Sequence, residues 1–312
     1  LLNYTIRRIL LSIPTIFITV SIIFIILRGL PGDPAQVILG ETATEQSLQK
    51  LREQLGLDLP IWQQYVNYLG DLIKLDFGNS LTTNIPVTEQ LLTFFPYTLE
   101  LTFAAILTCS LIGIPIGIIT ALKRNTITDH VFRIVGLIGI SMPAFFLAII
   151  ILLTFALKIP MFPSMGAGEG FVNGLYHLVL PALTLGLIES AIVMRMTRSG
   201  MLEEINNDYV RTARAKGLPR KKVVLKHIVR NSLIPVVTVI GLNITTLISG
   251  AVITESIFSR PGLGSLAIEA IITRDYPTLQ GCLILFCVLV VIVNLLVDIS
   301  YSYINPRIRF RD

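Results

Sequence analysis

Asp208-Tyr209-Val210-Arg211-Thr212-Ala213-Arg214-Ala215-Lys216-Gly217-Leu218-Pro219 is a short, sharply bounded basic segment in an otherwise apolar chain. Asp208 has the chemistry to cap a helix N-terminus. Ala213 and Ala215 favour helix, Lys216 suits the negative C-terminal end, and Gly217 stops it. A second basic helix is predicted from Arg220 to about Arg230, leading into Asn231-Ser232-Leu233-Ile234-Pro235. Two short helices joined by a Gly-x-Pro corner make a rigid knob, with exposed Arg211 and Arg214 one turn apart. Basic residues that only hold topology and attract anionic lipid account for the charge. They do not account for the small-residue helix or its sharp ends.

Apolar sequence surrounds this knob. About 20 apolar residues cross a bilayer as a helix. Six runs qualify, at 9–27, 99–122, 134–157, about 178–194, about 233–253 and about 282–303. Of the 312 residues, 53% are hydrophobic and 14% are charged, and mean hydropathy is +0.74. A soluble domain carries about 25% charged residues. Soluble globules and disordered chains are both excluded by that contrast. The predicted class is an all-α polytopic membrane protein with six transmembrane helices. The first run is too long for a signal-peptide core and lacks a small-residue cleavage site, so it reads as a retained anchor. Cys109, Cys282 and Cys287 match no zinc or redox spacing and read as small hydrophobes.

Orientation follows from the basic residues, because cytoplasmic loops retain Lys and Arg. With the N-terminus inside, the inside segments hold 18 of the 25 basic residues, ten of them between Arg195 and Arg230. Both termini are therefore expected in the cytoplasm. The outside segment from Arg28 to about Pro96 is then long and acidic. Thr42 and Glu45 have capping-box spacing, Leu48, Leu51 and Leu55 recur on one helical face, and Gly56 can end that helix. Pro60 suits the first turn of a second helix, whose apolar side is Ile61, Trp62, Tyr65, Leu69, Leu72 and Ile73. This segment reads as a compact cap on the bundle and as a docking platform for an external partner. Ser259-Arg260-Pro261-Gly262-Leu263-Gly264 reads as a tight turn, followed by a short helix over 266–272. The expected organisation is 1–96 for the first helix and outer loop, 97–305 for a five-helix core with its loop at 195–232, and 306–312 for a basic tail.

The search for chemistry is mostly negative. There is no GxxxxGK[ST] phosphate loop, no HExxH and no GxSxG, so this chain alone is not expected to hydrolyse ATP or act as an enzyme. His130, His177 and His227 lie far apart and read as loop or helix-end residues. Charge inside lipid is costly and often functional. Glu100, Glu189 and Asp298 are the candidates, either as interfacial and interhelical groups or as part of a translocation path, Glu189 foremost. A secondary transporter acting alone should have inverted repeats or broken helices carrying midplane charge. The sequence displays neither.

The segment 208–217 resembles the coupling motif of ABC importer permeases, Glu-Ala-Ala, three residues, then Gly. Aligned on Gly217, Arg211 and Thr212 replace Glu and the first Ala, while Ala213 matches. Pro235 follows Gly217 by 18 residues, further than in the general motif. These departures resemble one branch, the dipeptide/oligopeptide/nickel permeases. Its likeness extends to Arg7-Arg8, Leu30-Pro31-Gly32-Asp33-Pro34-Ala35, the run 51–57, Asp76-Phe77-Gly78-Asn79-Ser80, Leu180-Pro181-Ala182-Leu183-Thr184, Pro261-Gly262-Leu263-Gly264 and Arg274-Asp275-Tyr276-Pro277. The long outer loop resembles the B-type subunit. The resemblance implies a type I importer permease fold in a prokaryotic inner membrane. It implies a C-type permease partner, two cytoplasmic ATPases that bind ATP and Mg, an extracytoplasmic solute-binding protein and no nucleic acid. Asp208, Tyr209, Val210, Arg211, Thr212, Ala213, Arg214, Ala215, Lys216 and Gly217 would then form the ATPase coupling helix. The solute it implies is a dipeptide or oligopeptide, with nickel chelates, glutathione and other small solutes left open.

Overall fold

The computed structural model describes residues 2–29, 35, 43–54 and 56–304. Its helices are α1 (Leu2–Gly29), α2 (Glu45–Gln54), α3 (Ile61–Ile73), α4 (Val87–Leu122), α5 (Ile127–Ser141) and α6 (Ala144–Lys158). They continue with α7 (Gly170–Ile205), α8 (Asp208–Ala215), α9 (Arg220–Ile257), α10 (Leu263–Ile272) and α11 (Tyr276–Ile304). Residues 30–34, Thr42, Leu55 and the expected 306–312 tail lie outside the described residues, as does the side chain of Leu51.

Among the described residues five helices, α1, α4, α7, α9 and α11, are long and apolar enough to cross a membrane. The third expected span is different. It breaks between α5 and α6, which meet at 106°. The cause is Met142-Pro143. Proline disfavours helix at the residue before it, and Met142 is extended at φ −85°, ψ 127°. The expectation of unbroken helices fails here. Counted as one broken span, the pair brings the total to six.

Two other spans are longer than expected. α4 and α7 each have 36 residues, about 54 Å at 1.5 Å per residue, against a hydrocarbon core of about 30 Å. α4 starts at Val87 rather than near 99, because packing carries it through Pro96. Val87 and Leu91 are buried against Leu266, Ala267, Ala270, Leu279 and Cys282, which offsets the roughly 3 kcal/mol cost of an interior proline. The basic helix and the fifth span are likewise one rod, α9. It runs through a π-helical stretch, Val223–Val229, and through Pro235 without a break. Val223 and Ile228 before the proline and Val236 after it are all buried, which fixes the rod on both sides.

The chain divides into two compact units. One contains residues 98–260 and the last part of α11 from Ile292; the other contains the N-terminal part to Tyr97 and residues 261–291. In the first unit, α4 and α7 meet at Gly113 and Gly117. A Cβ on Gly117 would lie 2.6 Å from Thr197 Cβ and 2.7 Å from the Met194 carbonyl oxygen. Across the same contact, a Cβ on Gly186 would lie 2.5 Å from Thr108 Cβ. Small residues four apart let membrane helices approach this closely.

In the second unit, α2 starts one residue after Thr44, whose Oγ1 accepts the Ser47 N–H at 3.3 Å. Thr44 therefore occupies the cap position, and Thr42, the expected cap, lies outside the described residues. Gly56 ends α2 as expected, at φ +61°, with the Leu57 N–H bonded to the Arg52 carbonyl at 2.9 Å. Pro60 sits just before α3 instead of in its first turn. The apolar side of α3 splits. Tyr68, Leu69 and Leu72 pack against Val20, Ile23 and Ile284, while Ile61, Trp62, Val66 and Ile73 face outward. α10 begins at Leu263, three residues before the expected start. The left-handed residue of the turn before it is Ser259 (φ 45°); Gly262 is extended.

Two of the quoted motifs meet in this unit. Asp275 is buried. Its Oδ2 accepts the Ser80 hydroxyl at 2.5 Å and the Thr278 hydroxyl at 2.8 Å. Its Oδ1 accepts the Leu81 N–H at 3.1 Å. These bonds clasp the loop at 80–82 to the turn between α10 and α11.

Candidate functional site

The knob is built as a two-faced helix. α8 covers 208–215, and its inner residues Val210 and Ala213 pack with Ala121, Met201, Val223 and Ile228. Arg211, Thr212, Arg214, Ala215 and Lys216 are exposed on the other side. Asp208 is the first helical residue and not the cap, which is Asn207. Its carboxylate pairs with Arg211 at 3.5 Å, both side chains open to solvent, so the pair contributes little. Gly217 ends the helix at φ +75°. Its N–H bonds to the Arg214 carbonyl at 2.9 Å and the Leu218 N–H to the Ala213 carbonyl at 3.4 Å.

Tyr209 ties α8 to both neighbouring rods. Its hydroxyl donates to the Glu204 carboxylate on α7. It accepts from Asn231 Nδ2 on α9 at 3.0 Å and lies 3.2 Å from the His227 carbonyl oxygen. Burial first, and the Glu204 carboxylate second, push the hydroxyl above its ordinary pKa, which keeps it a proton donor.

The three candidate acids lie in different places. Glu189 is buried on α7 and accepts Asn243 Nδ2 from α9 at 2.6 Å. Glu100 on α4 accepts Arg260 Nη2 at 2.8 Å; its own side chain is half exposed while Arg260 is buried. Asp298 lies on α11, half-buried, one turn past Asn294. The structure does not bring the three into one cluster. His177 Nδ1 lies 2.9 Å from the Met165 carbonyl oxygen. No group of three or more His, Cys, Asp or Glu side chains suited to a metal ion occurs among the described residues.

Sequence reasoning missed two buried acids. Asp129 at the start of α5 is fully buried and takes a two-pronged contact from Arg198 on α7, both bonds 2.8 Å. Glu255 near the end of α9 is also fully buried, and its Oε1 accepts the Thr98 hydroxyl at 2.6 Å. The partners are 69 and 157 positions away in sequence, so no local spacing reveals either contact.

Residues 113–310 match the family described as Binding-protein-dependent transport system inner membrane component. Residues 1–102 match its N-terminal counterpart. The chain is 43% identical over 333 residues to the di/tripeptide transport system permease protein DppB of Pseudomonas aeruginosa (strain UCBPP-PA14), covering 99% of each. It is 40% identical to the dipeptide transport system permease protein DppB of Escherichia coli (strain K12), covering all of both. Identity to the glutathione transport system permease protein GsiC of the same strain is 39%, again over the full length of both. Among solved structures, the inward-facing MetNI methionine ABC transporter matches with a TM-score of 0.57 at 20% identity, over 69% of this chain and 96% of that one. Multiple apolar helices, a shared permease fold and relatives matched end to end make this a multi-pass membrane protein that belongs to the binding-protein-dependent transport system inner membrane component family, the permeases of ABC importers.

Proposed function

We propose that this chain is the B-type permease of an importer of dipeptides or oligopeptides in a prokaryotic cytoplasmic membrane, with both termini inside. Its full-length relatives are transport permeases for di/tripeptides, dipeptides and glutathione. Glutathione is itself a tripeptide, so all three fall in one chemical class. The chain is non-catalytic in this reading. Two ATPases bind and hydrolyse ATP, a C-type permease completes the pathway, and an extracytoplasmic binding protein delivers the solute. The outward face of α3, with Ile61, Trp62 and Val66, is offered to that protein. Glu189 is the first candidate for the pathway, with Glu100 and Asp298 behind it. The working division of the chain stays at 1–96, 97–305 and 306–312.

The observation that carries the coupling role is the construction of α8. Its inner face is packed through Val210 and Ala213, Tyr209 bonds it to α7 and α9, and its outer face presents Arg211 and Arg214. A rigid, cationic knob fits a groove on an ATPase, and closing the ATPase pair then moves α7 and α9 with it. ATP-bound and ATP-free states must favour different conformers for transport to follow. The test is mass spectrometry of the complex purified gently through a tag on this chain, at native expression. Two ATPases, a second permease and a retained peptide mass are expected. The chain alone, or as a homo-oligomer, overturns the proposal. Arg211→Glu with Arg214→Glu should lower ATPase recovery, and unchanged recovery counts against the knob. Uptake of a labelled dipeptide against labelled glutathione separates the two solutes.

A further inference from the structure

The end of α7 that leads to the knob carries a feature that transport coupling does not use. A cavity of about 460 Å3 lies between α5 and α7, lined by His130, Arg133, Ile134 and Leu137 from α5 and by Met194 and Arg195 from α7. The α5 residues fall at i, i+3, i+4 and i+7, one face of the helix. Its chemistry is divided. His130, Arg133 and Arg195 are exposed beside the buried Asp129. Ile134 and Leu137 continue along α5 as an exposed apolar wall. The floor is closed, because a Cβ on Gly136 would lie 2.5 Å from Met194 Cε.

Charge accounting points to an anionic occupant. Both oxygens of Asp129 are held by Arg198, one of them also by the Asn125 N–H, and Arg133 acts on the same carboxylate from a distance without forming an ion pair. Among the described residues neither Arg133 nor Arg195 has an ion-pair partner. Two guanidinium groups from two helices can grip one phosphate through paired N–H donors. A small soluble anion would use the arginines and leave the apolar wall bare. A phospholipid uses both, and membrane proteins hold anionic headgroups in basic pockets between helices. We infer that this groove binds one anionic phospholipid, its phosphate on Arg133 and Arg195 with His130 alongside, and an acyl chain along Ile134 and Leu137. The bound lipid bridges α5 and α7 next to the Asp129–Arg198 pair, and so braces the rod from which the knob hangs.

The probe is phosphatidylglycerol, offered in nanodiscs with phosphatidylcholine to the assembled transporter. Lipid retained after a detergent wash is read by mass spectrometry of the intact complex. Wild type is expected to keep phosphatidylglycerol selectively, about one molecule per copy of this chain. Arg133→Gln with Arg195→Gln should weaken retention by roughly 30-fold, each arginine contributing about fivefold. Leu137→Glu, which leaves both arginines in place, should also lower retention; this second variant serves if the double variant fails to assemble. Three results overturn the proposal. One is unchanged phosphatidylglycerol preference in both variants. Another is full displacement of the lipid by millimolar inorganic phosphate, which marks a soluble-anion site. The third is quantitative cross-linking of Leu137→Cys to another permease subunit in native membranes, which means protein covers the groove.

Discussion

Replacing Gly217 separates two explanations of why the knob ends where it does. The residue is left-handed, at φ +75°, and a Cβ built on it meets nothing within 4 Å. Bulk is therefore not what excludes other side chains from the isolated chain; backbone conformation is. A left-handed L-residue costs roughly 1–2 kcal/mol, and Asn bears it best. At 1.4 kcal/mol per tenfold, Ala should shift the balance between closed and opened helix end by roughly 5- to 30-fold. Asn should shift it less, and β-branched Val should do worst. The local readout is amide hydrogen exchange over 208–219, where the Gly217 and Leu218 N–H groups close the helix end on Arg214 and Ala213. The functional readout is solute uptake at equal membrane abundance. Both should rank Gly, Asn, Ala, Val. A ranking by side-chain volume, with Ala milder than Asn, would falsify the conformational account and mean that a partner surface packs directly on Gly217.

Three further outcomes follow from packing and buried charge. Asp129→Ala leaves Arg198 without its carboxylate and should destabilise the purified complex by about 3 kcal/mol; adding Arg198→Met should recover part of the loss in thermal melting, and strictly additive losses would count against a coupled pair. Gly117→Ala forces a Cβ into the Thr197 and Met194 contact and should cost about 1–3 kcal/mol. Gly70→Ala, where a Cβ meets nothing within 4 Å, should be neutral or slightly stabilising by the same melt; equal effects at the two glycines would refute the close-approach reading. Asp275→Asn puts an amide among hydroxyl donors and should cost about 1–3 kcal/mol, read as faster hydrogen exchange over 79–87; unchanged protection there would remove the clasp.

What was legible in the sequence is what local chemistry decides. α8 and its stop at Gly217 rest on residues within ten positions of each other, and so does the end of α2 at Gly56. Prolines were less readable. Pro143 breaks a span, yet Pro181 and Pro235 sit inside continuous helices, and the difference lies in the packing around each. The buried acids were the hardest to see. Asp129 and Glu255 look like ordinary helix-end acids until folding brings Arg198 and Thr98 to them. Among the three acids that were singled out, Glu189 was recognisable because it interrupts an apolar run, but nothing in the sequence pairs it with Asn243.

The contacts between α7 and α9 make a ladder with the knob at its foot. Tyr209 joins Glu204 to Asn231 at one end. Further along, a Cβ on Gly200 would lie 3.0 Å from the Ser232 carbonyl oxygen, so the two backbones nearly touch. The next rung is the bond from Asn243 to Glu189, about 22 Å from Glu204 along α7 at 1.5 Å per residue. The last is Leu185 against Gly250. Neither rod is broken between these points, since α9 passes through its π-helical stretch and Pro235 intact. Sliding α7 past α9 would break the buried hydrogen bond between Asn243 and Glu189 and the Tyr209 contacts to Glu204 and Asn231. That is the mechanical property the proposed coupling role of α8 requires. It comes from one tyrosine, two glycine contacts and one buried glutamate on rods that are adjacent in sequence, joined by the knob itself.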